Sequence, residues 1–318
     1  MSESVPGRPA IILDCDPGHD DAIAIVAAAH ETELLGITSV AGNAPLARTT
    51  HNALVIRELL GIDVPVHSGA VRPLIAEPSP AAVVHGESGL DGADLPQPTR
   101  PLDSTDAVGF IVDTCRAREG TWIVAVGPLT NVALALRAAP DLASRLGGIS
   151  IMGGGSFGNR SAVAEFNIWA DPDAAAIVFG SASESGRPLV MAGLDVTHQF
   201  LATRERIERV AAIGGRLATV FADLLTFFSG TYVGRHDDIA GAPMHDPLAV
   251  LALTAPELFR RVRRHVTVET AGVVTRGMTV IDNRTLTERP PTNCDVLTSV
   301  DADAAFTRIA QAIHAFSR

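Results

Sequence analysis

"AIILDCDPGHDDAIAIVAAAHETELLGITSV", residues 10–40, decides the fold. Ala10–Leu13 is a short apolar run of strand character, Asp20–His30 has a helical pattern, and Leu34–Val40 returns to strand composition. A strand, a helix and a strand in succession make parallel neighbours joined by a crossover. The same rhythm continues. Further strands are predicted at Val64–His67, Trp122–Val126, Ile149–Met152 and Pro188–Met191, with helices at Ala47–Leu60, Thr105–Arg118, Leu129–Ala138 and Pro172–Phe179. The predicted class is α/β: an open, mainly parallel, Rossmann-like sheet with helices on both faces. Helices dominate from Arg204 to Phe228. A helix from Pro247, strands near Val266–Glu269 and Met278–Ile281, and a helix near Ala302–Phe316 complete the chain. No repeat or linker interrupts it, so residues 1–318 are expected to form one domain. The proline-rich stretch Glu77–Pro101 reads as a long surface loop.

Composition narrows the function. The chain has 318 residues, 47% hydrophobic and 19% charged, enough to bury a sizeable core without disulfides. Cys15, Cys115 and Cys294 are scattered, which suits a reducing cytoplasm and argues against a zinc ribbon. The start, MSESVPGRP, has no apolar signal region, and no apolar run approaches a membrane span. The net charge of −11 repels nucleic acid and anionic lipid, so neither nucleic acid nor membrane is an expected partner. The basic cluster Arg260–His265 (RRVRRH) reads as a solvated face. Lysine is absent, so all 25 basic residues are arginine. Schiff-base chemistry and the P-loop lysine are therefore excluded.

Ligands of open parallel sheets bind beyond the carboxyl ends of the strands. That edge is where polar residues collect here: Asp14, Asp16, Asp20 and Asp21; Gly42–Asn43; Gly127–Asn131; the run 153–167 (GGGSFGNRSAVAEFN); and Gly193–Asp195. Helix capping explains Asp20 or Asp21 but not Asp14 and Asp16 as well. Crowded carboxylates are costly unless a cation neutralises them, and oxygen ligands indicate a hard one, Ca²⁺ or Mg²⁺. The segment does not have EF-hand spacing. In "MHDP", Met244–Pro247, Asp246 is either a helix cap followed by proline or a site residue. DPD at Asp171–Asp173 reads as a cap alone. In "AEFN", Glu165 and Asn167 stand two apart. In an extended segment they would share a face and suit paired sugar hydroxyls; the alternative is an exposed loop.

Taken together, these segments resemble the inosine-uridine-preferring nucleoside hydrolase family. The resemblance runs in order through DCDPGHDDAIAI, AGN (41–43), HGESGLDG (85–92), VGPLTNVA (126–133), IMGGG (151–155), AEFNIWADPDAA (164–175), GLDVTH (193–198) and MHDP (244–247). GHDDAIAI, HGESGLDG, MAGLDVTH and APMHDP look most like the pyrimidine-preferring bacterial branch. The resemblance implies hydrolysis of the N-glycosidic bond of ribonucleosides in nucleoside salvage. It implies one Ca²⁺ held by Asp16, Asp21, Asp246 and the main-chain carbonyl of Val126. Asp20, Asn43, Asn159, Glu165 and Asn167 would surround the ribose, with Met152 close by. Asp14 would orient its neighbours.

Such cleavage passes through an oxocarbenium-like transition state, which nearby carboxylates stabilise. Asp16 would act as base on a water, and His245 as acid to the leaving base, since histidine titrates near neutral pH. His85, Phe166, Tyr232 and His236 would line the base pocket, with Arg235 and Asp237 as further candidates on a polar loop. His19 reads as structural, and His30, His51, His67, His265 and His314 as surface or core residues. The resemblance also implies a cytoplasmic homo-oligomer, a dimer or tetramer, acting on a small ribonucleoside. Two other readings remain: a haloacid dehalogenase-like phosphatase using Asp14 and Asp16, and a nucleoside-binding protein without turnover. The first lacks its lysine.

Overall fold

The computed structural model describes residues 7–79, 82–233 and 240–317. The elements from the N-terminus are β1 (Ala10–Cys15), α1 (His19–Glu31), β2 (Glu33–Ser39), α2 (Leu46–Leu59), β3 (Val66–Ser68), α3 (Ala82–His85), α4 (Ala107–Ala117) and β4 (Trp122–Ala125). Next come α5 (Thr130–Ala138), α6 (Leu142–Arg145), β5 (Gly148–Met152), α7 (Phe166–Ala170), α8 (Pro172–Ser185), β6 (Leu189–Ala192), α9 (Leu194–Thr197) and β7 (Leu201–Thr203). The last third holds α10 (Arg204–Ala211), α11 (Gly215–Val233), β8 (Gly241–Pro243), α12 (Pro247–Thr254), β9 (Phe259–Arg264), β10 (Val266–Val268), β11 (Thr279–Ile281), β12 (Cys294–Val300) and α13 (Ala302–Phe316).

Eight strands form the main sheet, in the order β3-β2-β1-β4-β5-β6-β12-β9. All pairings are parallel except β12 with β9, which is antiparallel. Alternation along the strands sends apolar side chains to both faces. Ile11, Leu13 and Cys15 join one cluster with Ile23, Phe221, Leu248 and Phe306; Ile12, Ile123 and Ala125 join the other with Leu136 and Phe179. The first cluster is roofed by α1, α11, α12 and α13, the second by α4, α5 and α8, so helices cover both faces as the β–α rhythm requires. Helix α1 is buried along its length from His19 to Ala28. Its alanines let it sit between the sheet and the outer helices.

The chain leaves β1 toward β2 and β3 on one side and returns at β4 to build β5 and β6 on the other. The order therefore reverses between β1 and β4, where a crevice opens beyond the carboxyl ends. Asp14 pairs with Ala125 in that register, so Cys15 comes opposite Val126 and Asp16 emerges beside Gly127.

Several elements depart from the sequence reading. RRVRRH is a strand, β9, at the sheet's outer edge. Arg260, Arg261 and Arg263 are exposed there, so the solvated face is that of a strand. Charged side chains are a normal guard for an edge strand. The strand β12 was not anticipated, because CDVLTSV has no helix before it to complete the β–α rhythm. The segment 204–228 is two helices, and the second runs on to Val233, so Tyr232 lies on a helix and not on a polar loop. Glu77–Pro101 is not wholly a surface loop: His85 and Leu90 are buried. Arg235, His236 and Asp237 lie outside the described residues.

Candidate active site

The crevice between β1 and β4 holds five buried carboxylates: Asp14, Asp16, Asp20, Asp21 and Asp246. Among the described residues, no arginine or histidine forms an ion pair with any of them. Asp14, Asp16, Asp20 and Asp21 are held by neutral donors. Asp14 accepts from Thr38 Oγ1 (2.5 Å) and Asn131 Nδ2 (2.8 Å). Its main-chain carbonyl accepts the Val126 N–H (2.8 Å), which ties β4 to β1 at the crevice. Asp16 Oδ2 accepts the Asn43 N–H (2.7 Å). Asp21 accepts from the N–H groups of Gly18 (2.9 Å) and Asp16 (3.1 Å) and from Asn43 Nδ2 (3.1 Å). The capping reading of Asp21 thus holds in part, because these amides lie at the start of α1.

Asp20 reaches across the molecule, accepting the N–H of His245 at 3.1 Å. Asp246 occupies the N-cap position of α12 but makes no side-chain capping bond. The open question of cap or site is therefore resolved against the cap. Asp246 instead hydrogen-bonds Asp21. By contrast, Asp171 caps α8 through Ala174 N (3.1 Å), as its DPD context suggested, and also takes the Thr130 hydroxyl (2.7 Å).

The electrostatics follow from burial. Removal from water pushes Asp14 and Asp20 up to about 7, opposed by their hydrogen bonds. It drives Asp16 and Asp246 well above the usual carboxylate range, and neighbouring aspartates add to the rise. Without a cation, such groups keep protons or share them.

Three observations fit a metal ion. Carboxylate oxygens of Asp20, Asp21 and Asp246 lie within 4.8 Å of one another. Asp16 Oδ1 is buried with no hydrogen-bond partner. The Asp16 carboxylate also sits in a glycine cradle: a Cβ on Gly42 would overlap Oδ2, and one on Gly127 would lie 2.5 Å from Oδ1. The tightest triplet contains Asp20 rather than Asp16, a difference from the ligand set expected above. Asp16 adjoins the triplet through its N–H bond to Asp21.

The sugar-side candidates lie around this centre, with one geometric correction. Glu165 and Asn167 are not in an extended segment. Glu165 is the N-cap of α7, and Asn167 lies in its first turn. The Glu165 carboxylate accepts from Asn167 N (2.9 Å), Ile168 N (3.1 Å) and Gly154 N (3.0 Å), and burial pushes it up to about 7. Asn167 Nδ2 faces the Val126 carbonyl (2.8 Å), the Met152 carbonyl (3.2 Å) and Met152 Sδ (3.3 Å). Asn167, Met152 and Val126 are therefore one cluster. Asn43 joins the aspartates, with Nδ2 also donating to the Asp16 carbonyl (3.2 Å). Asn159 is not drawn in. It is exposed, and its Oδ1 accepts the Phe166 N–H (2.9 Å); Phe166 is half-buried.

On the other side stand the histidines. His245 Nδ1 lies 2.7 Å from Thr197 Oγ1, and its ring approaches His198 at 5.7 Å. Burial, then His198, push His245 down to about 3. The ring is therefore neutral, below the near-neutral value that the sequence reading assumed. His85 Nδ1 lies 3.1 Å from His19 Nδ1, and burial lowers His85 well below the histidine range. His19 Nε2 lies 2.8 Å from the Asp91 carbonyl, so that nitrogen carries a hydrogen. His19 and His85 both stack near Phe228, and Phe228 meets Tyr232 edge-on at 5.5 Å. Sequence reasoning gave no role to Thr38, Asn131, Thr197 or Phe228. Asn131 and Thr197 stood within quoted motifs, after strands, but nothing in one sequence pairs them with Asp14 or His245.

A model of the inosine-uridine preferring nucleoside hydrolases matches residues 11–307. The chain belongs to the inosine-uridine preferring nucleoside hydrolase family. It is thus an enzyme of the glycosidase class that hydrolyses N-glycosyl bonds of ribonucleosides. It is 48% identical over 296 residues to the pyrimidine-specific ribonucleoside hydrolase RihA of Escherichia coli (strain SMS-3-5), covering 92% of this chain and 94% of that one. Among solved structures, the purine-preferring ribonucleoside hydrolase from Gardnerella vaginalis is 33% identical with a TM-score of 0.89, covering 97% and 99% of the two chains. An inosine-guanosine nucleoside hydrolase is 30% identical with a TM-score of 0.85, covering 96% and 98%. The family match, spanning the motifs from β1 to α13, does not favour a phosphatase.

Proposed function

We propose that this nucleoside hydrolase acts on pyrimidine ribonucleosides, uridine and cytidine, as a Ca²⁺ enzyme. The observation that carries the metal-assisted reading is the set of five buried carboxylates at the switch point of the sheet, without a cationic partner among the described residues. The pyrimidine preference rests on the 48% identity to RihA, against 33% to the purine-preferring structure.

We assign the cation to Asp16, Asp21, Asp246 and the Val126 carbonyl. When bound, it would supply positive charge that lets these acids ionise, holds sugar hydroxyls and lowers the pKa of a water. The remaining roles belong to the chain. Asp16 has one carboxylate oxygen uncommitted, and we assign it the proton of the attacking water. Asp20 accepts the His245 N–H at Oδ2, and we assign its carboxylate to a ribose hydroxyl. Asn43 and Asn167 hold the carboxylates and the Val126 carbonyl in place and line the sugar side with Met152. Glu165 supports this side through the Gly154 N–H and the first turn of α7. Asn159 would reach the sugar only if its bond to Phe166 N–H is exchanged on binding. Developing positive charge on the sugar is met by the aspartates, and the water attacks without a covalent nucleophile.

His245 serves the leaving base. Being neutral, it acts as an N–H donor whose hydrogen bond strengthens as negative charge builds on the departing base. His85, Phe166 and Tyr232 are assigned to the base side, together with His236. Residues 1–318 are taken as one hydrolase domain, cytoplasmic and homo-oligomeric as a dimer or tetramer. Among the described residues, no helix is long and apolar enough to cross a membrane.

A ribose-release panel over uridine, cytidine, inosine, adenosine and guanosine, with and without chelator, tests this reading. The expected pattern is fast pyrimidine turnover, abolished by chelation and restored by Ca²⁺. Faster inosine than uridine turnover would overturn the base preference, and full activity in chelator would overturn the metal.

A further inference from the structure

Thr197 ends α9, wholly buried, with its Oγ1 2.7 Å from His245 Nδ1. A threonine hydroxyl has one hydrogen to give. On a helix its usual recipient is the carbonyl four residues back. Here that carbonyl, Gly193 O, already accepts the N–H groups of Val196 (3.1 Å) and Thr197 (3.0 Å). No bond from the Thr197 hydroxyl to it is formed, and His245 Nδ1 is the hydroxyl's partner. The reverse arrangement, Nδ1–H donating to Oγ1, would leave a buried hydroxyl hydrogen with no acceptor among the described residues, which proteins avoid. The hydroxyl is thus the donor, and Nδ1 the lone pair. A neutral imidazole that accepts at Nδ1 carries its hydrogen on Nε2.

We propose that Thr197 is a positioning residue that fixes His245 in its Nε2–H tautomer, so that the ring offers a hydrogen-bond donor to the leaving base. The idea rests on the hydrolase reading above and on His245 facing the base. The other tautomer would offer a lone pair instead, which repels the negative charge growing on a departing pyrimidine. A buried partner that orders the tautomer of a catalytic histidine is a general device, with large losses when the wrong tautomer forms. The matching substrate feature is an acceptor near the glycosidic nitrogen, such as the C2 carbonyl oxygen of a pyrimidine.

The test compares the wild type, Thr197→Val and Thr197→Ser in the Ca²⁺-loaded, full-length protein. Nitrogen-15 chemical shifts of the His245 ring report the tautomer. Kinetics are taken on uridine and on p-nitrophenyl riboside, whose leaving group needs no donor. The wild-type ring is expected as Nε2–H. Thr197→Val should lower kcat on uridine by roughly 10- to 100-fold, the lower part of the range for a lost acid–base contact, with KM nearly constant. Its rate on the nitrophenyl riboside should change less than about threefold, the contrast expected when only leaving-group assistance is lost. Thr197→Ser should restore uridine turnover and the ring spectrum. A wild-type Nδ1–H ring overturns the proposal without any variant, even if Thr197→Val fails to fold. Equal losses on both substrates also overturn it, as does a folded Thr197→Ser with the valine defect. If the wild type cleaves neither substrate, the hydrolase reading itself falls, and the catalytic role of Thr197 falls with it.

Discussion

Two regions of this chain concentrate charge in opposite ways. At the carboxyl ends of β1 and β4, Asp14, Asp16, Asp20, Asp21 and Asp246 are buried together, with no arginine among their partners in the described residues. At the sheet's far edge, Arg260, Arg261 and Arg263 of β9 project into solvent, and Asp295 of β12 lies 3.5 Å from Arg263 and 4.0 Å from Arg261. The edge needs no explanation beyond solubility and protection of an unpaired strand, since water and a nearby acid offset the repulsion. In the crevice the carboxylates are buried from solvent, and among the described residues no cationic side chain offsets them. A fold that keeps such a cluster must gain something from it, and a bound cation with a polar substrate accounts for it.

The strongest way to break this contrast is Asp16→Ala. Turnover of uridine is expected to fall by about 10⁴-fold or more, because the proposed base and a metal ligand are lost together. Unchanged far-UV circular dichroism should accompany the loss. Retention of a tenth of the wild-type rate would remove Asp16 from the chemistry. His245→Ala comes next, with an expected loss of roughly 10²- to 10⁴-fold on uridine and far less on p-nitrophenyl riboside. Equal losses on the two substrates would move His245 from leaving-group assistance to structure.

Chelation tests the cation by stability. Burial places Asp14 and Asp20 at about 7, above the unfolded value near 3.9. Between about pH 4 and 7 the folded chain therefore binds more protons than the unfolded one, and stability without metal falls as pH rises through that window. Ca²⁺ should remove the fall by ionising the acids. It should add about 2.7 kcal/mol at a hundredfold excess over Kd, by mass action. Thermal melts from pH 5 to 7.5 should therefore diverge with and without chelator; parallel curves would refute a structural cation. The smallest effect is expected at the other pole. Arg263→Ala should leave kcat/KM unchanged and shift stability by no more than about 1 kcal/mol, as exposed ion pairs do. A tenfold activity loss would show that the arginine edge is not the inert half of the comparison.

Much of the sheet was legible because β1, β2, β4, β5 and β6 are apolar runs separated by helices, the pattern that parallel burial imposes. The strands β7, β8, β9 and β12 were not. β7 and β8 are three-residue strands, β9 is an edge strand that carries arginines where a buried strand would carry valine, and β12 sits inside the sheet but follows a long stretch without a helix. At the site, the aspartates and Asn43 stood out because carboxylates at a strand end violate ordinary economy of burial. The fine geometry did not. Glu165 has the same residues on either side whether it caps a helix or faces a sugar. Two of its N–H partners, Asn167 and Ile168, come with the first turn of α7, and the third, Gly154, only when the end of β5 lies alongside.

The bond from His245 N–H to Asp20 has a bearing on synthesis. Asp20 leaves the ribosome among the first residues, and its partner follows 225 positions later. Until then the aspartates lack both the His245 amide and the Asp246 carboxylate. β12, which completes the sheet between β6 and β9, is made later still. Contacts this distant in sequence close slowly and late in folding. A nascent chain halted before residue 245 would thus hold four of the five acids with no finished pocket. Catalytic competence should appear abruptly, near the end of translation.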